Sequence, residues 1–154
     1  MDNSGRLWVI LMFIGEYHHN IDEKSRIVLP SKFRYELNEK FIITRGLEGC
    51  LFIYPIKQWN KITEKLNELP FTKKDARAFL RFFLSGACEC TFDKQGRIMV
   101  PQSLVSYASL KKECVIIGVN DRLEIWSLDK FNEFLKEKQE NISDIAESLF
   151  DVNA

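Results

Sequence analysis

An α+β fold is expected of this chain, in which two copies of one strand-rich unit interlock into a β-barrel-like core with helices outside it. Three observations point there. Asp22 to Pro30 runs D-E-K-S-R-I-V-L-P, and seventy-one residues later Asp93 to Pro101 runs D-K-Q-G-R-I-M-V-P, so Asp, Arg, Ile and Pro recur in register. Around each run lie short stretches of alternating apolar residues, the pattern of half-buried strands. The 154 residues are 45% apolar and 29% charged, an ordinary globular composition at a length that supports one core without disulfides or a metal.

The elements follow in order. Phe13, Gly15, Tyr17, His19 and Ile21 fall on one side of a first strand, and Gly86, Cys88, Cys90 and Phe92 are their counterparts in the second copy. Each strand leads through a tight loop into a short strand. Asp22 and Asp93 open these loops, where a carboxylate can accept from nearby main-chain N–H groups and close the turn. Proline is tolerated in the first turn of a helix because its missing N–H has no partner to lose, so Pro30 and Pro101 start helices over Ser31 to Leu37 and Gln102 to Tyr107. Phe41 to Thr44 then parallels Val115 to Gly118, and Leu51 to Tyr54 parallels Leu123 to Trp126, as hairpin strands. Trp59, Ile62, Leu66 and Leu69 form the apolar face of one helix. After Pro70, Thr72 is the expected N-cap of another carrying Ala76, Phe79, Leu80 and Phe83. A single last helix is expected from Leu128 to about Leu149. Strands this short are not stable alone, which is why the two units are expected to interlock.

Charge is unevenly placed. Twenty-two basic residues balance twenty-two acidic ones, so no global positive field draws the chain to nucleic acid or anionic lipid. From Ser127 onward seven acids face three lysines, a net −4, which leaves +4 on the first 126 residues. Any nucleic-acid site must therefore be local.

Several segments carry a specific likeness: Met12-Phe13-Ile14-Gly15-Glu16-Tyr17, Asp22-x-Lys24-x-Arg26, Thr44-Arg45-Gly46-Leu47-Glu48-Gly49-Cys50-Leu51, Asp75-Ala76-Arg77-Ala78 and Asp93-Lys94-Gln95-Gly96-Arg97. Together they resemble the MraZ family over about Met12 to Leu149. The resemblance implies a swapped-hairpin fold of the AbrB type, duplicated within one chain, and assembly into ring-shaped homo-oligomers. It also implies a transcriptional regulator, usually a repressor, that binds short direct repeats ahead of the bacterial division and cell-wall gene cluster containing its own gene. Residues 12–83 and 84–154 are then the two repeats. Members of the family start at the position of Met12, so residues 1–11 are expected to be an extension from an upstream start or a tag.

The resemblance carries DNA contact onto Arg26 and Arg97, and with them Lys24 and Lys94. The physics agrees. A guanidinium fork at a loop edge matches the O6 and N7 acceptors of guanine in the major groove or straddles a phosphate, whereas a lysine suits phosphate alone. The competing reading of each arginine is a surface ion pair with a neighbouring carboxylate. Gly96 suits the positive φ that such a loop needs near its end. The first copy departs from the family's glycine with Ser25, so that loop either bends differently or carries roughly 1–2 kcal/mol of strain. An alternative function is an oligomeric antitoxin-like or scaffold module, because AbrB-type folds also serve as antitoxins and the acidic last helix could dock a partner.

Other chemistries find little support. The four cysteines (Cys50, Cys88, Cys90, Cys114) are too few and too uneven for a disulfide framework. His18, His19, Cys88 and Cys90 could meet at a metal only if the two first strands come together, and no CxxC or HxxxH spacing accompanies them. No nucleophile motif or phosphate loop is present, so no enzyme activity and no cofactor is expected. Lys73, Lys74, Arg77 and Arg81, interrupted by Asp75, read as an ion-pairing face within or between subunits, and Arg45 and Arg77 as structural. Leu7 to Ile14, eight apolar residues, falls short of the roughly 20 that a membrane helix requires. A cytoplasmic, nucleoid-associated protein without a membrane partner is expected.

Overall fold

The computed structural model describes residues 12–151. The expected extension, residues 1–11, lies outside them. The first repeat supplies β1 (Phe13–Asn20), β2 (Arg26–Val28), α1 (Ser31–Leu37), β3 (Lys40–Arg45), β4 (Leu51–Pro55), α2 (Ile56–Leu66) and α3 (Lys74–Ser85). The second supplies β5 (Cys88–Thr91), β6 (Arg97–Met99), α4 (Gln102–Tyr107), β7 (Glu113–Asn120), β8 (Leu123–Ser127), α5 (Leu128–Gln139) and α6 (Ile142–Phe150). Both proline-started helices occupy the expected residues.

The repeats exchange strands. One antiparallel sheet runs β1-β7-β8-β4-β3-β5, and β2 pairs with β6 in a separate two-stranded ribbon. The first strand of each repeat thus pairs with the third strand of the other, while β4 meets β8 and β2 meets β6 about a pseudo-twofold. This is a swapped-hairpin α+β fold. Its strands do not join into a closed barrel among the described residues, because β1 and β5 end the sheet and the ribbon strands pair only with each other. The barrel-like expectation is corrected to a sheet with a ribbon and helices packed on it.

The sheet is covered on both faces. On one, Phe41, Ile43, Leu51, Ile53, Leu123 and Ile125 pack with Ile27 and Ile98 of the ribbon, Phe33 of α1 and Leu104 of α4. On the other, Phe52, Tyr54, Val115 and Trp126 pack with Phe83 of α3 and Phe131 of α5. This double burial leaves every residue of β4 and β8 buried and explains why β4 reads as an unbroken apolar run. At the β1–β7 crossing, Gly15 pairs with Gly118, and a Cβ on Gly118 would strike the main chain of Phe13 and Ile14.

Four local expectations are corrected. Leu69 lies beyond α2, in the turn before Pro70. Lys73 rather than Thr72 precedes α3, with no side-chain cap. Gly86 ends α3 instead of entering β5, which shortens that strand to four residues. The last helix is two, because Asn141 leaves helical geometry (φ −115°, ψ 14°) and its N–H turns back to the Lys138 carbonyl at 3.2 Å before α6 begins. Asparagine offers the main chain such local alternatives, which lowers its helix propensity. No helix among the described residues is long and apolar enough to cross a membrane.

Candidate nucleic-acid interface

The two Asp-x-x-x-Arg loops fold alike. Asp22 Oδ1 accepts from the main-chain N–H groups of Lys24 and Arg26 at 2.9 Å each, and Asp22 Oδ2 accepts from Arg26 Nε at 2.8 Å. Asp93 Oδ1 accepts from Gln95 and Arg97 at 2.9 Å each, and Asp93 Oδ2 from Arg97 Nε at 2.7 Å. In both loops the aspartate N–H also donates to the arginine carbonyl at 2.9 Å. The main-chain N–H of Arg26 is the largest influence holding the Asp22 carboxyl below the usual carboxylate range, and Arg97 acts likewise on Asp93.

Ser25 adopts φ +60° and Gly96 φ +74°. The first loop therefore takes the same bend as the second, and the serine bears the left-handed conformation that glycine meets without penalty. Gly96 has a further reason to lack a side chain. A Cβ there would lie 2.5 Å from Arg34 Nη1, whose guanidinium is anchored by a 2.6 Å hydrogen bond to the Leu29 carbonyl. Val105 stands at the position equivalent to Arg34 in the second repeat. Arg34 thus buttresses one loop only, and no repeated motif marked it in the sequence.

The ribbon brings the loops together. Arg26 pairs with Met99, Ile27 with Ile98 and Val28 with Arg97. Hydrogen bonds from Val100 N–H to the Ser25 carbonyl and from Leu29 N–H to the Gly96 carbonyl, at 2.8 and 3.4 Å, carry the pairing into both loops. Strand side chains alternate between faces. Ile27 and Ile98 point inward, so Arg26, Val28, Arg97 and Met99 share the outward face, with the arginines diagonal neighbours at roughly 7–8 Å between backbones.

Each arginine forms the ion pair that was the competing expectation, and the pair does not exhaust it. The aspartate gives one oxygen to two main-chain N–H groups and only the other to the guanidinium, which has five donors. Among the described residues neither guanidinium has a partner beyond its own loop's aspartate, and about a quarter of each side chain is exposed, 27% and 25%. The carboxylate fixes the fork's orientation and leaves donors for a ligand.

Lys24 and Lys94 are exposed at the loop tips, but they are not equivalent. Lys24 matches Gln95 in the turn geometry, and Lys94 matches Glu23. The two loops hold four basic and three acidic residues, a small positive excess. Sequence reasoning passed over Val28 and Met99, although the Arg-Ile-Val and Arg-Ile-Met alternation marks them as outward once the isoleucines are taken as core.

The remaining candidates lie elsewhere. Arg45 donates to the Phe82 carbonyl at 2.8 Å, and Arg77 donates to the Phe71 carbonyl at 2.9 Å. Lys73, Lys74, Arg77 and Arg81 form no ion pair with the described residues of the same chain. His18 and His19 on β1 sit at the opposite sheet edge from Cys88 and Cys90 on β5. The Cys88 and Cys90 sulfurs are 3.9 Å apart, and burial pushes the Cys90 thiol up to about 12. No group of three or more His, Cys, Asp or Glu among the described residues could hold a metal ion.

The family described as "MraZ protein, putative antitoxin-like" matches the chain twice in tandem, over residues 12–82 and 83–153. The duplicated loops, the exchanged strands and this double match agree, and the chain belongs to the MraZ family.

Proposed function

We propose that this chain is a sequence-specific DNA-binding regulator, most simply a repressor, that inserts the outward face of its β2–β6 ribbon into the major groove. The observation that carries this reading is the diagonal of Arg26 and Arg97 on one exposed face, each fork aligned by its loop aspartate. The major groove is wide enough for a two-stranded ribbon, and arginine forks pair bidentately with guanine there. Lys24 and Lys94 contact phosphates, which set register.

The small positive excess of one ribbon makes single-site affinity weak, so repetition must supply the rest. Copies of this chain arranged in a ring present identical ribbons, and binding one repeat raises the effective concentration of the next ribbon at the next repeat. Direct repeats upstream of the chain's own gene, within a division and cell-wall cluster, are the site that the family resemblance suggests, and nucleoid association follows from it. A gel shift with the DNA directly upstream of the coding sequence, against scrambled DNA of equal length at one stated salt concentration, tests the proposal. Retention of the upstream fragment alone supports it, and equal retention of both overturns it.

A second reading has its own observation. Helix α6 buries none of its residues, its charges are all acidic, and Leu149 and Phe150 are 76% and 83% exposed. With the family's antitoxin-like description, this favours a protein partner. Capture of such a partner without any retention of upstream DNA would make that the function.

A further inference from the structure

Met99 is 61% exposed on the outward face of the ribbon, directly across from Arg26. Its counterpart in the first repeat is Val28, a shorter side chain that is partly buried, across from Arg97. Each outward rung therefore sets one arginine beside one apolar group, and only the Arg26–Met99 rung projects a long one. Alternate residues along a strand are about 6.8 Å apart, close to two base-pair steps of about 3.4 Å each. A ribbon lying along the groove would thus present its two rungs two base pairs apart.

From this geometry we infer that Met99 is a specificity residue that packs against the 5-methyl group of a thymine next to the base read by Arg26. The inference rests on the DNA-binding reading above. The thymine methyl is the one apolar group the major groove displays, and methionine, unbranched and polarizable, adapts to such a contact better than the shorter valine. The arginine and lysine charges beside it, Arg26 and Lys24, select a polyanion as the occupant of this face rather than another apolar protein surface. Asp22 and Asp93 turn their carboxylates toward the loop N–H groups and so do not oppose it.

The test uses the full chain and the DNA upstream of its coding sequence, synthesised once with thymidine and once with deoxyuridine, which removes only the methyl groups. Binding is measured at one salt concentration for the native protein, Met99→Leu, Met99→Ala and Arg26→Ala. The native protein and Met99→Leu should bind the uracil fragment about fourfold more weakly, the ratio expected for one buried methyl group. Met99→Ala should bind both fragments alike. An equal affinity of the native protein for both fragments, or a thymine preference retained in Met99→Ala, overturns the inference while leaving the DNA-binding reading in place. Failure of the native protein to discriminate the upstream fragment from scrambled DNA, or full binding by Arg26→Ala, removes that reading and this inference with it. Met99 is surface-exposed, and unchanged melting temperatures identify the variants as folded.

Discussion

Ile27 lies directly across from Ile98 at the middle of the ribbon, one residue from each repeat and each 1% exposed. This pair sets the phase of the whole face. A slip of one residue would turn both isoleucines to solvent and Arg26 and Arg97 into the core. Ile98→Ala is expected to cost about 2–4 kcal/mol in urea denaturation, as large-to-small changes in cores do, and to weaken DNA retention through loss of ribbon order.

Ser25→Gly should stabilise the protein. The left-handed φ costs serine roughly 1–2 kcal/mol, against roughly 0.5–1 kcal/mol of extra chain entropy lost by glycine. A net gain of up to about 1.5 kcal/mol is expected. Gly96→Ser should lose more than that gain, because it adds the same strain and also displaces the Arg34 guanidinium from the Leu29 carbonyl. Denaturation midpoints of the two variants, shifted in opposite directions, check this pair.

Asp22 and Asp93 stay ionised to lower pH in the folded chain than in the unfolded one. A carboxylate with a depressed folded value contributes stability that is present above its unfolded value, roughly 3.9, and is lost as pH falls through the folded value. Loop geometry should therefore be unchanged from pH 8 to pH 5 and loosen only in stronger acid. Carboxyl-carbon NMR titration should find both groups below the ordinary aspartate value, and values at or above it would contradict the hydrogen-bonded loop.

Glu124 is buried in the sheet at 7% exposure, held by Arg122 Nη2 at 2.9 Å and by Trp126 Nε1, which donates to it at 2.9 Å. Arg122 also lies over the Phe52 ring, 4.5 Å from its centroid. Removing Arg122, itself 27% exposed, strands the buried Glu124 charge, so Arg122→Ala should cost about 2–4 kcal/mol, somewhat less than breaking a fully buried pair. Glu124→Gln keeps an acceptor for Trp126 and should cost less. Equal stability losses in the two variants, measured in denaturant, would contradict this assignment.

The chain's local grammar was largely legible. Asp22, Asp93 and the prolines mark loops and helix starts by mechanisms that act within a few residues, and α1 and α4 fall where Pro30 and Pro101 place them. Partner choice between strands was not legible, because alternation groups Phe13 and Tyr17 on one side of β1, of which only Phe13 is fully buried, without saying that the strand pairs with β7. The break at Asn141 carried no proline or glycine to announce it. The repeat register already sets Lys24 against Gln95, and the aspartate contacts agree, so the two tip lysines are not an equivalent pair. Met99 was passed over because a single exposed apolar residue needs no explanation until its ribbon partner is known.

Whether the two aligned arginines of the ribbon read DNA is decided by a salt series of equilibrium binding to the upstream fragment. Arg26→Ala and Arg97→Ala should each weaken binding by roughly 1–3 kcal/mol relative to the native protein and make the dependence on salt shallower. Native affinity and an unchanged salt slope in either variant would contradict that reading.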